Sequence, residues 1–190
     1  MKAITKRLLH AVFLVLACPL AILCLFGRLK ALYTIGAHAS ATVPGIIGDY
    51  YRVAFYRMTL AHCSMVSRIS YGTFFAHPEA RVAADVYIGS YCVLGKVEIG
   101  PRTQIASGVQ ILSGRHQHSR DAEGRMLGTE HRSLSTVSIG ADCWIGAAAV
   151  VMADVGPGTT VGAGSIVTKA APGGVVVAGN PARIIATPEH

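Results

Sequence analysis

The sequence predicts an all-β core, a parallel β-helix of about four coils with one extruded loop, preceded by N-terminal hydrophobic and amphipathic helices. Three observations carry this: a six-residue step of aliphatic residues from Arg81 onward, 21 glycines in 190 residues, and an uncharged stretch of 19 residues near the start.

The step runs through Val82, Ile88 and Leu94, then Ile99, Ile105 and Ile111. It resumes with Ile139, Ile145 and Val151, then Val155, Val161 and Val167. Eleven of these twelve are Ile or Val, and seven are followed directly by Gly. Six is too long for the alternation of one strand and does not fit helical periodicity. It fits a coil in which each six-residue rung sends one aliphatic side chain inward and then turns a corner. Branched side chains stiffen the inward position, and Gly relaxes the corner. Three rungs close one triangular coil, so the four groups of three read as four stacked coils around a column of Ile and Val.

Leu8 to Phe26 is free of charge and mostly apolar, close to the ~20 residues a helix needs to cross a bilayer. Lys2, Lys6 and Arg7 precede it and Arg28 and Lys30 follow. Positive charge on both flanks disfavours a simple crossing, and Pro19 near the middle disrupts the helix, so a re-entrant or kinked segment is expected over a straight span. No small-residue cleavage site follows directly, which argues against export. A second segment, Asp49 to Ala61, mixes aromatic residues with Arg52 and Arg57, with Asp49 as candidate N-cap. It reads as a helix lying in the headgroup layer or packed on the main domain. The organisation is therefore a hydrophobic segment at 1–30, a linker with an amphipathic helix at 31–80, and the β-helix at 81–190.

The formal charge of +7 is not gathered into any run of three or more basic residues, and much of it flanks the apolar segment. This excludes a nucleic-acid reading and favours anionic lipid. The five cysteines are widely spaced, with no CxxC pair or zinc-finger spacing. Free thiols in a reducing compartment are expected, and none reads as a nucleophile.

Between Ile111 and Ile139 the step is lost. A loop of that length in a regular solenoid is commonly functional, and this one holds His116, His118 and His131.

The repeat resembles the left-handed parallel β-helix of the hexapeptide-repeat acyltransferases, over residues 81–185. The resemblance is most specific in IGADCWIGAAAVVMADVGPGTTVGAGSIVTK from Ile139 to Lys169 and in Gly179-Asn180-Pro181-Ala182-Arg183. These stretches are similar to the branch of sugar, maltose and xenobiotic O-acetyltransferases and of capsule-modifying enzymes. The hydrophobic N-terminus is not part of the soluble members' pattern and suggests an envelope-linked acceptor.

The resemblance implies transfer of an acetyl group from acetyl-CoA to a hydroxyl of a saccharide or lipid-linked precursor, in a homotrimer at the cytoplasmic side of the inner membrane, with no metal. His116 occupies the place of the family's catalytic His, with His118 as the second candidate. Its ordinary pKa near 6.5 suits a general base. Asp121, Glu123 or a backbone carbonyl would orient the imidazole. Trp144 would flank the pantetheine arm, or else serve subunit packing. Gly146, Ala147, Gly162 and Ala163 are small where the arm would lie, with backbone amides to receive it. Thr168 and Lys169 match the contact to the adenosine end, and Arg183 is the second cation for the 3′-phosphate. A zinc carbonic anhydrase on the same fold would need three converging histidines, whereas those here share one loop. A membrane-anchored, non-catalytic β-helical scaffold is the alternative from another class.

Overall fold

The computed structural model describes residues 2–114, 119–127 and 134–187. Three helices, α1 (Lys2–Leu23), α2 (Lys30–Ala41) and α3 (Gly45–Thr59), precede a solenoid of short parallel strands. The strands stack in three sheets, one per face of a triangular prism. Face 1 carries His62–Cys63, Arg81–Val82, Val97–Ile99 and Val137–Ile139, and single bridges extend it through Val155 to Ala171. Face 2 runs from Arg68–Ile69 through Tyr87–Ile88, Gln104–Ile105, Trp144–Ile145 and Thr160–Val161 to Val176–Gly179. Face 3 stacks Phe74–Phe75, Val93–Leu94, Gln110–Ile111, Val150–Val151 and Ile166–Val167.

All twelve aliphatic positions of the six-residue step point inward, each at most 3% exposed. They stack in register, Ile88 on Ile105 and Ile105 on Ile145. Every rung thus buries its branched side chain against identical positions above and below, which is how so short a strand becomes stable.

The coil count differs from the expectation: there are about six, the last incomplete. An additional first coil places Cys63, Ile69 and Phe75 inward, all fully buried. It pairs with the second through Cys63 to Val82, Ile69 to Ile88 and Phe75 to Leu94. Ala171 and Val177 begin a sixth, closed by an antiparallel return of Ala182–Ala186 onto Val176–Gly179. His62 lies in the first rung of this added coil.

The first coil has no coil beneath it, so its edge groups need other partners. The helices supply them. Buried Arg52 donates from Nε to the Ile69 carbonyl at 2.9 Å and from Nη1 to the Val43 carbonyl at 2.6 Å. Tyr33 Oη donates to the Phe75 carbonyl at 3.0 Å, while the Phe75 N–H donates to Tyr56 Oη at 3.3 Å. The Gly72 N–H donates to the Ala41 carbonyl at 2.9 Å. Arg52 is balanced by Asp49, whose Oδ1 lies 2.7 Å from its Nη2. Asp49 also holds Arg68 Nε at 2.8 Å through Oδ2. Asp49 is therefore an interior ion-pair partner rather than an N-cap, since α3 starts at Gly45 with Pro44 before it. Of the two readings of this helix, the packed one describes it: Val53, Phe55 and Tyr56 are buried along with Arg52.

Helix α1 runs through Pro19 to Leu23 without a break, and the chain changes direction only at Leu25–Gly27, three successive residues with positive φ. Gly27 has to be glycine, because a Cβ there would strike the Thr59 carbonyl oxygen. One side of α1 packs on α3 through Phe13, Ala17 and Ala21, with the Phe13 and Tyr50 rings stacked at 5.4 Å. Thr5–Leu23 is the single helical stretch among the described residues long and apolar enough to cross a membrane.

Arg52→Ala should leave the Ile69 carbonyl without its donor and Asp49 with Arg68 as its one remaining counter-charge, at a cost of about 3 kcal/mol. Chemical denaturation of the detergent-purified protein would measure this. Arg52→Lys should rescue little of it, because an ammonium lacks the planar fork that reaches several acceptors at once.

Candidate active site

The extruded loop leaves the prism after Ile111, at the corner from face 3 to face 1, and the solenoid resumes at Val137. The insertion costs no register: Val137 pairs with Val97 and Ile139 with Ile99. The loop's base is clamped where the Ser135 N–H donates to the Ser113 carbonyl at 3.1 Å. His116, His118 and His131 lie outside the described residues.

Within the described part of the loop, Asp121 organises its own turn. It accepts the Arg125 N–H at 2.8 Å, the Glu123 N–H at 3.1 Å and Arg125 Nε at 2.8 Å. These bonds, led by the Arg125 amide, hold its carboxyl below the usual carboxylate range. Glu123 also pairs with Arg125, at 3.3 Å. Both carboxylates named as orienters of an imidazole are thus engaged with Arg125.

Trp144 stands outward on face 2, 59% exposed, between Gln104 on one side and Thr160 on the other. The next corner separates two kinds of backbone amide. Gly146 and Gly162 donate to the Val161 and Val177 carbonyls, both at 2.8 Å, and so belong to the ladder. A Cβ on Gly146 would sit 2.5 Å from the Ala163 nitrogen, so its identity is dictated by the coil above. Ala147 and Ala163 are exposed, and their N–H groups donate to nothing among the described residues. They are the amides open to a ligand, one coil apart on the same edge.

Thr168 is half-buried and Lys169 exposed at the following corner. The Gly179-Asn180-Pro181-Ala182-Arg183 segment is the tight turn of the closing hairpin, with Gly179 opposite Ala182 and Ala178 opposite Arg183. This return brings Arg183 to the same cavity as Lys169. The cavity is about 360 Å³ and is walled by Ala171, Pro172, Val177 and Ile184 as well. Two residues fourteen positions apart, each singled out as a candidate phosphate contact, thus share one concavity.

The cysteines offer no nucleophile. Cys63, Cys92 and Cys143 lie along the interior, and burial raises all three thiols, Cys63 to about 12. Cys24 is buried in the helical cap. At pH 8 a thiol reagent should label Cys18 alone in the native protein and all five after unfolding; mass mapping of the adducts checks this.

No family model matches the chain. The curated relatives are acetyltransferases. One, from Escherichia coli K12, is provisionally named lipopolysaccharide biosynthesis O-acetyl transferase WbbJ; it is 34% identical over 126 residues, covering 63% of each chain. Another, serine acetyltransferase 2 of Arabidopsis thaliana, is 32% identical over 118 residues, covering 60% of this chain and 32% of that one. The chain thus spans between about a third and two thirds of the length of the curated relatives it matches. Among solved structures, a maltose O-acetyltransferase from Clostridium difficile 630 superposes with a TM-score of 0.60 over 90% of this chain and 91% of that one, at 23% identity. A hexapeptide-repeat acetyltransferase of Vibrio cholerae, solved with acetyl coenzyme A, gives 0.55 over 87% and 88%, at 19% identity. The fold is the left-handed β-helix of the hexapeptide-repeat acyltransferases.

Proposed function

We propose that this chain is an acetyl-CoA-dependent O-acetyltransferase that modifies a saccharide or lipid-linked saccharide precursor at the cytoplasmic face of the inner membrane. The observation that carries the reading is the cavity shared by Lys169 and Arg183, two cations suited to a phosphate. The cavity lies at the last coil, with Lys169 one rung past the edge that carries the unengaged Ala147 and Ala163 amides. The polysaccharide-related names of bacterial relatives support the acceptor class. The apolar Thr5–Leu23 helix supports attachment to a membrane.

In the reaction, His116 accepts the proton of the acceptor hydroxyl as its oxygen attacks the thioester carbonyl. Exposed amides of the Ala147 edge donate to the pantetheine arm and to the developing oxyanion. Collapse of the tetrahedral intermediate breaks the C–S bond and releases CoA, whose thiolate takes the proton back from His116. No covalent bond to the enzyme forms. His118 is the alternative base.

The loop that carries His116 leaves at the corner between faces 3 and 1, whereas Ala147 and Ala163 lie at the corner between faces 2 and 3. One rung separates these corners, on the order of 15–20 Å. This favours a site completed by a neighbouring copy, as in the closed homotrimer that the resemblance implies.

Three measurements test the reading. CoA release with a panel of lipid-linked and nucleotide-linked sugars should fall ~10²-fold or more in His116→Ala. Lys169→Ala and Arg183→Ala should each raise KM for acetyl-CoA while leaving KM for its 3′-dephospho form unchanged. Co-expressing His116→Ala with Ala147→Trp, each inactive alone, should restore about a quarter of wild-type activity, the chance that a random interface holds one intact half of each kind. Absence of acetyl-CoA binding would instead leave a membrane-anchored scaffold.

A further inference from the structure

A second cavity, of about 260 Å³, lies at the other end of the solenoid, in the seam between α1, α3 and the first coil. Lys6 and His10 of α1, Ile46 and Asp49 of α3, and Val66 and Arg68 of the coil line it. We propose that it holds the phosphate of an anionic membrane lipid, with α1 lying in the plane of the bilayer surface rather than crossing it. This rests on the membrane attachment proposed above and states how that attachment is made.

The charge balance favours an anion. Asp49 is the one carboxylate in the lining, and both its oxygens are already taken, by Arg52 and Arg68. Arg68 uses only Nε in that bond; its two Nη groups make no hydrogen bond among the described residues, and its side chain is 60% exposed. Lys6 forms no ion pair among the described residues. Two cationic groups therefore face a cavity whose negative charge is spent within the fold.

The surroundings favour a lipid over a soluble phosphate. Ile46 and Val66 at the lining are 67% and 45% exposed. The outer side of α1, facing away from α3, carries an exposed apolar stripe through Leu8, Val12, Val15 and Leu16. A phosphate bound between Lys6 and Arg68 would thus have Ile46 and Val66 beside it, with the α1 stripe about one helix diameter deeper.

Packing decides the orientation of α1. Its inner side is fixed to α3, and α3 is fixed to the first coil by Arg52 and Tyr56. A crossing α1 would carry exposed Arg57 of α3 into the hydrocarbon, where a charge is costly. An in-plane α1 buries its apolar stripe and leaves Arg57, as well as Arg68, at the headgroups, as monotopic helices do.

Flotation of the full chain with phosphatidylcholine vesicles, with and without phosphatidylglycerol, tests this. Wild type should bind both, and more tightly when phosphatidylglycerol is present. Lys6→Gln and Arg68→Gln should each remove about fivefold of that increment, at roughly 1 kcal/mol per cation near an anionic surface. Neither should alter binding to phosphatidylcholine alone. Lys6 is exposed and outside the Asp49 network, so its variant keeps the fold, which a thermal melt confirms. An undiminished increment in Lys6→Gln overturns the site. Inorganic phosphate that displaces the protein as well as the lipid does overturns the lipid assignment. Binding to neither vesicle overturns the attachment itself. In sealed vesicles, protease sites placed at both ends of α1 should be cut from outside; protection of one end overturns the in-plane orientation.

Discussion

A solenoid of parallel strands leaves its first coil with an unpaired edge, and here that edge is closed by a buried guanidinium. Arg52 reaches the Ile69 carbonyl of the β-helix and the Val43 carbonyl within the α2–α3 connection, while Asp49 neutralises it. Burying such a charge is unfavourable unless its donors are met, and several are met here by carbonyls that would otherwise lack partners. Tyr33 and Tyr56 do the same for Phe75. The helices are consequently the end cap of the solenoid rather than a tether to it. Whatever holds α1 holds the β-helix in a fixed orientation too.

The inward column was legible because its chemistry is uniform: Ile or Val every sixth residue, often followed by Gly, leaves few other folds possible. The first coil obeys the same spacing with Cys63, Ile69 and Phe75, separated from Val82 by seven residues where the later slips shorten the step to five or four. It is less legible because two of its three inward residues are neither Ile nor Val, and Ser or Ala follows each in place of Gly. Its six-residue spacing is the one signal it shares with the later coils. Arg52 was harder. Among aromatic and basic neighbours it looks like a headgroup contact, and its acceptors are main-chain oxygens that no side-chain pattern announces. Only Asp49, three residues earlier, hinted at a paired interior charge.

At the candidate site, the sequence located the corners but could not tell which amides the corners leave open. Small residues at 146, 147, 162 and 163 look alike in the repeat, yet the glycines spend their N–H groups on the next coil and the alanines do not. The distinction follows from strand pairing, since the last ladder bond of each rung falls on the glycine. Lys169 and Arg183 were singled out separately by their motifs. Their meeting depends on the antiparallel return after Gly179, a reversal that a repeat of parallel rungs gives no reason to expect.

Strand stacking also fixes how far Trp144 lies from the helical cap. Arg68, Tyr87, Gln104 and Trp144 occupy successive rungs of face 2 in register, all with outward side chains. Three inter-strand steps put Trp144 about 14 Å from Arg68 along the prism. The rigid cap holds this separation constant, because α3 cannot tilt without breaking the Arg52 bonds. An acceptor anchored in the bilayer would have to project over that distance to meet a thioester beside Trp144, whereas a soluble sugar faces no such requirement. The length of the solenoid between cap and loop would then select among acceptors by reach, before any pocket contributes.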